Sequence, residues 1–119
     1  MADALFTHID EEACRRFQAS AELAGRKWNA AILLAGARGA RRFSEYQVLV
    51  KGISARLLSA RMKELEAEGL IERTVQPTTP VMISYGLTEP GRQLISLLHP
   101  LVNWSRARHA DGLDGTAGV

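Results

Sequence analysis

The chain has one cysteine, Cys14, so no disulfide can close within it, and a reducing compartment is the natural reading. No apolar run approaches the roughly 18 to 20 residues that a membrane span needs. The first 14 residues hold four acids and neither lysine nor arginine, the reverse of a secretory leader. A cytoplasmic protein with no membrane partner is expected. His8, His99 and His109 are too scattered to place two on one helix face as ligands of a shared metal. There is no Gly-rich phosphate loop and no nucleophile elbow, and the only carboxylate cluster is the solvated Glu64, Glu66 and Glu68. These absences leave no catalytic residue, no metal and no cofactor to name, and they speak against an enzyme.

What is present is an ordinary globular composition, 46% hydrophobic and 24% charged, which excludes disorder and disulfide scaffolds. At 119 residues the chain can bury one core. One domain over residues 1–110 is expected, with 111–119, which hold three glycines, as a flexible C-terminal tail. The net charge of +2 hides an uneven distribution. Residues 15–73 carry twelve bases against six acids, whereas residues 74–119 balance at three and three. A positive field concentrated in the middle of the chain points to a polyanionic partner.

Periodicity predicts a helix over 10–24, with Ala13, Cys14, Phe17, Ala21 and Ala24 at three- and four-residue steps and acids at its start. A second helix over about 27–36 should turn Trp28, Ala31, Ile32 and Ala35 inward. A short helix over 44–50, with Phe43, Tyr46 and Leu49 inward, ends at Lys51-Gly52. Ser54 then stands as N-cap of a longer helix, 55–68, whose Leu58, Met62 and Leu65 share a face, with Gly69 as its stop. Two strand-like segments, 70–75 and 82–87, flank Gln76-Pro77-Thr78-Thr79-Pro80 and form a hairpin. Thr88 and Glu89 open a last apolar helix that Pro100 must bend or split. That order is the order of a winged helix-turn-helix: mainly α, with a two-stranded β-wing and extra helices at both ends.

On a helical wheel the face opposite Leu58, Met62 and Leu65 collects Arg56, Ser59, Ala60 and Lys63. Arginine suits guanine edges, serine a base or phosphate, and alanine a thymine methyl, so this face is expected to read DNA with its N-terminal half leading. Arg61 points nearer the apolar side and should pair with Glu64 or Glu68. Arg41 and Arg42, just ahead of Ser44, and Arg73 on the wing are candidates for phosphates. With Ser44 and Ser54 these residues make up the expected DNA-binding set.

The blocks Gly25-Arg26-Lys27-Trp28, Arg41-Arg42-Phe43-Ser44-Glu45-Tyr46, Gly52 to Glu66, Gly69-Leu70-Ile71-Glu72-Arg73 and Tyr85 to Arg92 together resemble the HxlR family of bacterial transcription regulators over about residues 12–106. The resemblance implies a winged-helix homodimer, joined through its terminal helices, that binds a palindromic operator and represses or activates adjacent genes. Phe17, Leu98, Leu101 and Trp104, more apolar residues than one small core needs, fit such an interface, with Cys14 beside Phe17. Two departures stand out. Relatives often end the wing in Pro-Arg, whereas Pro80-Val81-Met82 has no base, so less help is expected from the wing tip. Members often carry Cys-Pro ahead of the Trp helix, and in some that thiol senses oxidants. Here Cys14 precedes Arg15 and lies one residue further from Trp28.

Cys14 therefore has two readings, a redox switch cross-linking two subunits or a small apolar residue in the dimer contact. Trp28 and Trp104 likewise either line a pocket for a small-molecule effector at the interface or simply pack. A winged helix used for protein–protein contact is the other alternative. It predicts weak DNA binding without sequence preference.

Overall fold

A computed structural model describes residues 4–110, and the expected tail at 111–119 lies outside them. Six α-helices and one antiparallel hairpin follow a short 3-10 turn: α1 Glu11–Gly25, α2 Asn29–Ala37, α3 Phe43–Leu49, α4 Ala55–Ala67, β1 Ile71–Gln76, β2 Met82–Leu87, α5 Glu89–Leu98 and α6 Leu101–Ala110. No helix among the described residues is long and apolar enough to cross a membrane.

Local chemistry explains most boundaries. The Asp10 carboxylate accepts the Ala13 N–H at 2.8 Å and starts α1, where Glu11 and Glu12 complement the helix dipole. At the other end of the core, the Thr88 hydroxyl accepts the Gly91 N–H at 3.1 Å and starts α5, with Pro90 in its first turn. Pro100 splits the terminal apolar stretch outright, so α5 and α6 are separate helices. The hairpin pairs Ile71 with Leu87 through to Gln76 with Met82, so the prolines stand in the tip.

The core is built around α2. Ile32, Leu33, Tyr46, Leu58, Leu65 and Ile71 are completely or almost completely buried, joined by Ala35, Ala40, Val50 and Met62. Two expectations about α2 need correction. Trp28 precedes the helix instead of lying on its inner face, and Ala31 is exposed, while Asn29, Leu33 and Gly36 join Ile32 and Ala35 inside. The cause is backbone geometry. Trp28 takes the left-handed conformation at φ 81°, which breaks the helical path between α1 and α2 and resets the phase of the helix that follows.

Helix α1 adds little to the core, through half-buried Leu23. None of its 15 residues is fully buried.

Candidate DNA-recognition surface

Helix α4 is placed by its two ends and one face. The Ser54 hydroxyl accepts the Leu57 N–H at 3.1 Å, as expected of an N-cap. Ahead of it, Gly52 turns the chain at φ 90°, a conformation that side chains resist, and the Trp28 ring lies over that turn, 3.7 Å from where a Cβ on Gly52 would stand. Leu58, Met62 and Leu65 anchor the inner face in the core. The opposite face leaves Arg56, Ala60 and Lys63 exposed and Ser59 half-buried.

Ser59 and Lys63 meet the wing. Together with Met62, Glu66, Arg73 and Tyr85 they line a cleft of about 380 Å³ between α4 and the hairpin. Arg73 on β1 sits opposite Tyr85 on β2, so the hairpin presents both to the cleft. Tyr85 is itself held from behind. Its N–H donates to the Arg41 carbonyl at 2.6 Å, and its carbonyl accepts the Tyr46 hydroxyl at 2.9 Å. The two tyrosine rings meet edge to face at 6.4 Å. Burial raises the Tyr46 phenol above its ordinary value, which keeps the hydroxyl a donor. Neither Tyr85 nor Glu66 is in the expected DNA-binding set; Glu66 lies on α4 itself, and the wing returns Tyr85 to α4 from a distant point in the chain.

The arginines ahead of α3 do different things. One guanidinium nitrogen of Arg41 donates to the carbonyls of Gly36 at 3.1 Å and Ala40 at 2.7 Å, tying the end of α2 to the start of α3. Arg42 is exposed and lies beside Met82, with a nitrogen 3.9 Å from its sulfur. The Glu45 carboxylate accepts the backbone N–H of both, at 2.8 Å from Arg41 and 3.0 Å from Arg42. Ser44 is exposed on the same turn. Glu45, three residues after Arg42, has the spacing of an acid that caps a helix start, a signal legible in the sequence.

Behind α4, Arg61 pairs with Glu64 at 3.2 Å as expected, and Glu64 also meets Arg26 at 2.8 Å. Two carboxyls are therefore held below their ordinary value of 4.5. For Glu45 the cause is the backbone N–H groups of Arg42 and then Arg41. For Glu64, burial opposes the charge, but Arg26, Asn29 and Arg61 outweigh it. A carboxyl whose folded pKa is depressed contributes stability in full above its unfolded value, and the contribution is lost as the pH falls through the lower folded value. The melting temperature is accordingly expected to fall between about pH 5 and pH 3. A Glu45→Gln, Glu64→Gln protein should show a shallower fall. Equal slopes in differential scanning calorimetry would show that neither carboxyl matters.

Away from this surface the terminal helices leave large apolar side chains open. Phe17 is 72% exposed, Trp104 60% and Leu101 56%, with Cys14 exposed on α1 and Leu98 half-buried. The two tryptophans have separate settings. Trp28 packs at the core margin with Lys27 over its ring, and Trp104 stands on α6 with Arg108 over its ring.

A buried-faced helix after a tight turn, flanked by a two-stranded wing, is a winged helix-turn-helix, and the sequence matches the HxlR-like helix-turn-helix family over residues 23–111. The chain belongs to the HxlR-like family. Among its relatives, the HTH-type transcriptional regulator YvaP of Bacillus subtilis (strain 168) is 39% identical over 94 residues, covering 79% of this chain and 87% of YvaP. YodB, an HTH-type transcriptional regulator of the same organism, is 35% identical over 92 residues, covering 77% of this chain and 82% of YodB. The crystal structure of diamide-treated YodB superposes with a TM-score of 0.70 at 34% identity, covering 79% of this chain and 93% of YodB. The redox regulator HypR in its oxidised form gives 0.70 at 28% identity, covering 77% of this chain and 95% of HypR. This HxlR-like protein is thus a DNA-binding transcription regulator with a winged helix-turn-helix fold.

Proposed function

We propose that the protein binds a palindromic operator as a homodimer in the cytoplasm, with α4 as the recognition helix. The observation that carries this reading is the two-faced character of α4: Leu58, Met62 and Leu65 in the core, and Arg56, Ala60 and Lys63 facing out from its N-terminal three turns. Arg56 and Ala60 then meet base edges, and Ser59 joins them or a phosphate. Lys63 and Arg73, on either side of the cleft, suit one phosphate between α4 and the wing. Arg42 suits another, with Arg41, Ser44 and Ser54 holding the neighbouring backbone in place.

The homodimer is supported by the open apolar faces of α1 and α6 and by shape. The radius of gyration is 17.0 Å, where about 13 to 14 Å is usual for a compact chain of this size. A two-fold axis through α1 and α6 would place Cys14, Phe17, Leu98, Leu101 and Trp104 at the contact and set two copies of α4 about 34 Å apart.

Fluorescence anisotropy against DNA from upstream of the protein's own gene, and against scrambled DNA, at two salt concentrations, tests the whole reading. Tight binding that prefers the upstream fragment supports it. Equal, weak, salt-sensitive binding to every fragment tried would favour a winged helix that serves protein contact.

The two kinds of DNA contact separate in mutants. Arg56→Ala is expected to cost about 1 to 3 kcal/mol and to relax specificity, whereas Arg42→Ala should weaken all sequences alike and lower the salt slope by about one. Identical behaviour of the two would remove the assignment of base readout to Arg56.

A second reading concerns the signal. Cys14 is exposed and lines an apolar hollow on α1 with Phe17, Ala21 and Gly25, and the relatives include diamide-treated YodB and the redox regulator HypR. On this reading oxidation joins Cys14 of two subunits and alters operator affinity. Non-reducing gel mobility after mild oxidation tests it, and a Cys14→Ser protein that responds to oxidant as the parent does would end it.

A further inference from the structure

The junction between α1 and α2 is polar where it meets the back of α4. Arg26, the residue after α1, reaches the Glu64 carboxylate at 2.8 Å, and Arg61 holds the other oxygen of that carboxylate at 3.2 Å. Asn29 is completely buried. Its amide nitrogen donates to the Leu23 carbonyl in the last turn of α1 at 3.0 Å. The Asn29 carbonyl oxygen, Arg61 Nε and Glu64 Oε1 are buried without a hydrogen-bond partner, so Arg26 holds Glu64 as an ion pair. Such groups are costly in a small domain, and apolar side chains of the same size would often be more stabilising. A polar cluster kept at that cost acts through geometry, because its hydrogen bonds and ion pairs accept only one arrangement of the elements they join.

The elements joined are the two whose mutual angle matters most for a two-fold reader of DNA. Helix α1 has no fully buried residue, and its apolar hold on the core is half-buried Leu23 in its last turn. Its packing on the domain runs mainly through α2. The few bonds at its base therefore set its angle to α4. A helix of 15 residues is about 22 Å long, so a rotation of about 10° at the base moves the far end by about 4 Å. That displacement is comparable to the rise of one DNA base pair.

We infer that Arg26, Asn29 and Glu64 are positioning residues for operator recognition: they lock α1 to the back of α4 and so set the spacing of the two recognition helices in the dimer. The inference rests on the homodimer and operator reading given above. None of the three side chains touches DNA in that reading.

The probe is the duplex that the unmodified protein enriches from a random pool, compared with the same duplex carrying a single inserted base pair at its centre. The unmodified protein should discriminate strongly against the insertion. Arg26→Gln and Glu64→Gln should each weaken binding about tenfold, and the double variant should do little worse than either single one. Both should also narrow the discrimination against the inserted base pair. Arg26→Lys, which keeps the charge, should restore discrimination. If Glu64→Gln fails to fold, Arg26→Gln carries the test, since that side chain is 54% exposed. A uniform loss on both duplexes, with discrimination unchanged, would make the cluster merely structural and overturn the inference alone. If the unmodified protein enriches no duplex, the operator reading fails and this inference fails with it.

Discussion

Phe17→Glu is expected to give a folded monomer whose affinity for its operator is lower by at least about a hundredfold, the scale of gain that linking two binding modules provides. Phe17 stands 72% exposed on α1, whose contact with the core is made by Leu23 in its last turn, so its loss removes little intramolecular packing. Glutamate is also a good helix former. In the proposed dimer the same position sits near the two-fold axis, where two carboxylates would face each other and an apolar contact would be lost. Sedimentation velocity should report half the mass, circular dichroism most of the parent's helix, and anisotropy a weaker complex with a shallower salt dependence. A dimer that persists with unchanged affinity would place the interface elsewhere and return Phe17 to the ordinary exposed surface.

Gly91→Ala should be the most destabilising glycine-to-alanine change among the described residues. A Cβ on Gly91 would stand 2.1 Å from the Leu70 carbonyl oxygen, and that oxygen is backbone. The Leu70 carbonyl accepts the Thr88 N–H at 3.1 Å, and the Thr88 hydroxyl donates to the Gly69 carbonyl at 2.6 Å while accepting the Gly91 N–H. The first turn of α5 is thus bonded to the segment leading into β1 at the point where the methyl would enter. Relief requires α5 to move as a body, drawing Leu94 and Ile95 off the core. A loss of about 3 kcal/mol follows, at the upper end of what overpacking costs and a large part of the roughly 5 to 15 kcal/mol that holds a domain together. Intrinsic propensity argues the other way, since alanine favours a helix over glycine by about 1 kcal/mol. A rise in melting temperature would therefore show that the close approach of α5 to Leu70 is absent.

Much of the fold was readable because its signals are local. Ser54 followed by Leu58, Met62 and Leu65 marks both the start and the inner face of α4, and the prolines around residues 77–80 mark the hairpin tip. Helix α2 was harder because Asn29-Ala30-Ala31-Ile32-Leu33-Leu34-Ala35-Gly36-Ala37 is apolar nearly all round. Periodicity cannot choose a face where no polar face exists. The left-handed Trp28 then shifted the true phase by one residue. On the recognition surface, the exposed row on α4 followed from the helical period alone. The part played by Tyr85 and the attachment of Arg26 to Glu64 did not, since both depend on contacts between residues some forty positions apart. Charge alone marks Arg41 for a phosphate, but its carbonyl partners are a property of how α2 ends.

A helix that meets the core through Leu23 at one end has another consequence. Fifteen residues is close to the length below which an isolated helix frays in water, because nucleation is costly and each added residue returns little. The i,i+4 pairs of Arg15 with Glu11 and Arg16 with Glu12 add only modestly to that margin. In the proposed assembly α1 is therefore completed by its partner, so coil-to-helix ordering and subunit association form one equilibrium. Dilution then has a spectroscopic signature: ellipticity at the helix band declines along the same curve as the loss of dimer, at temperatures where the winged core is still intact.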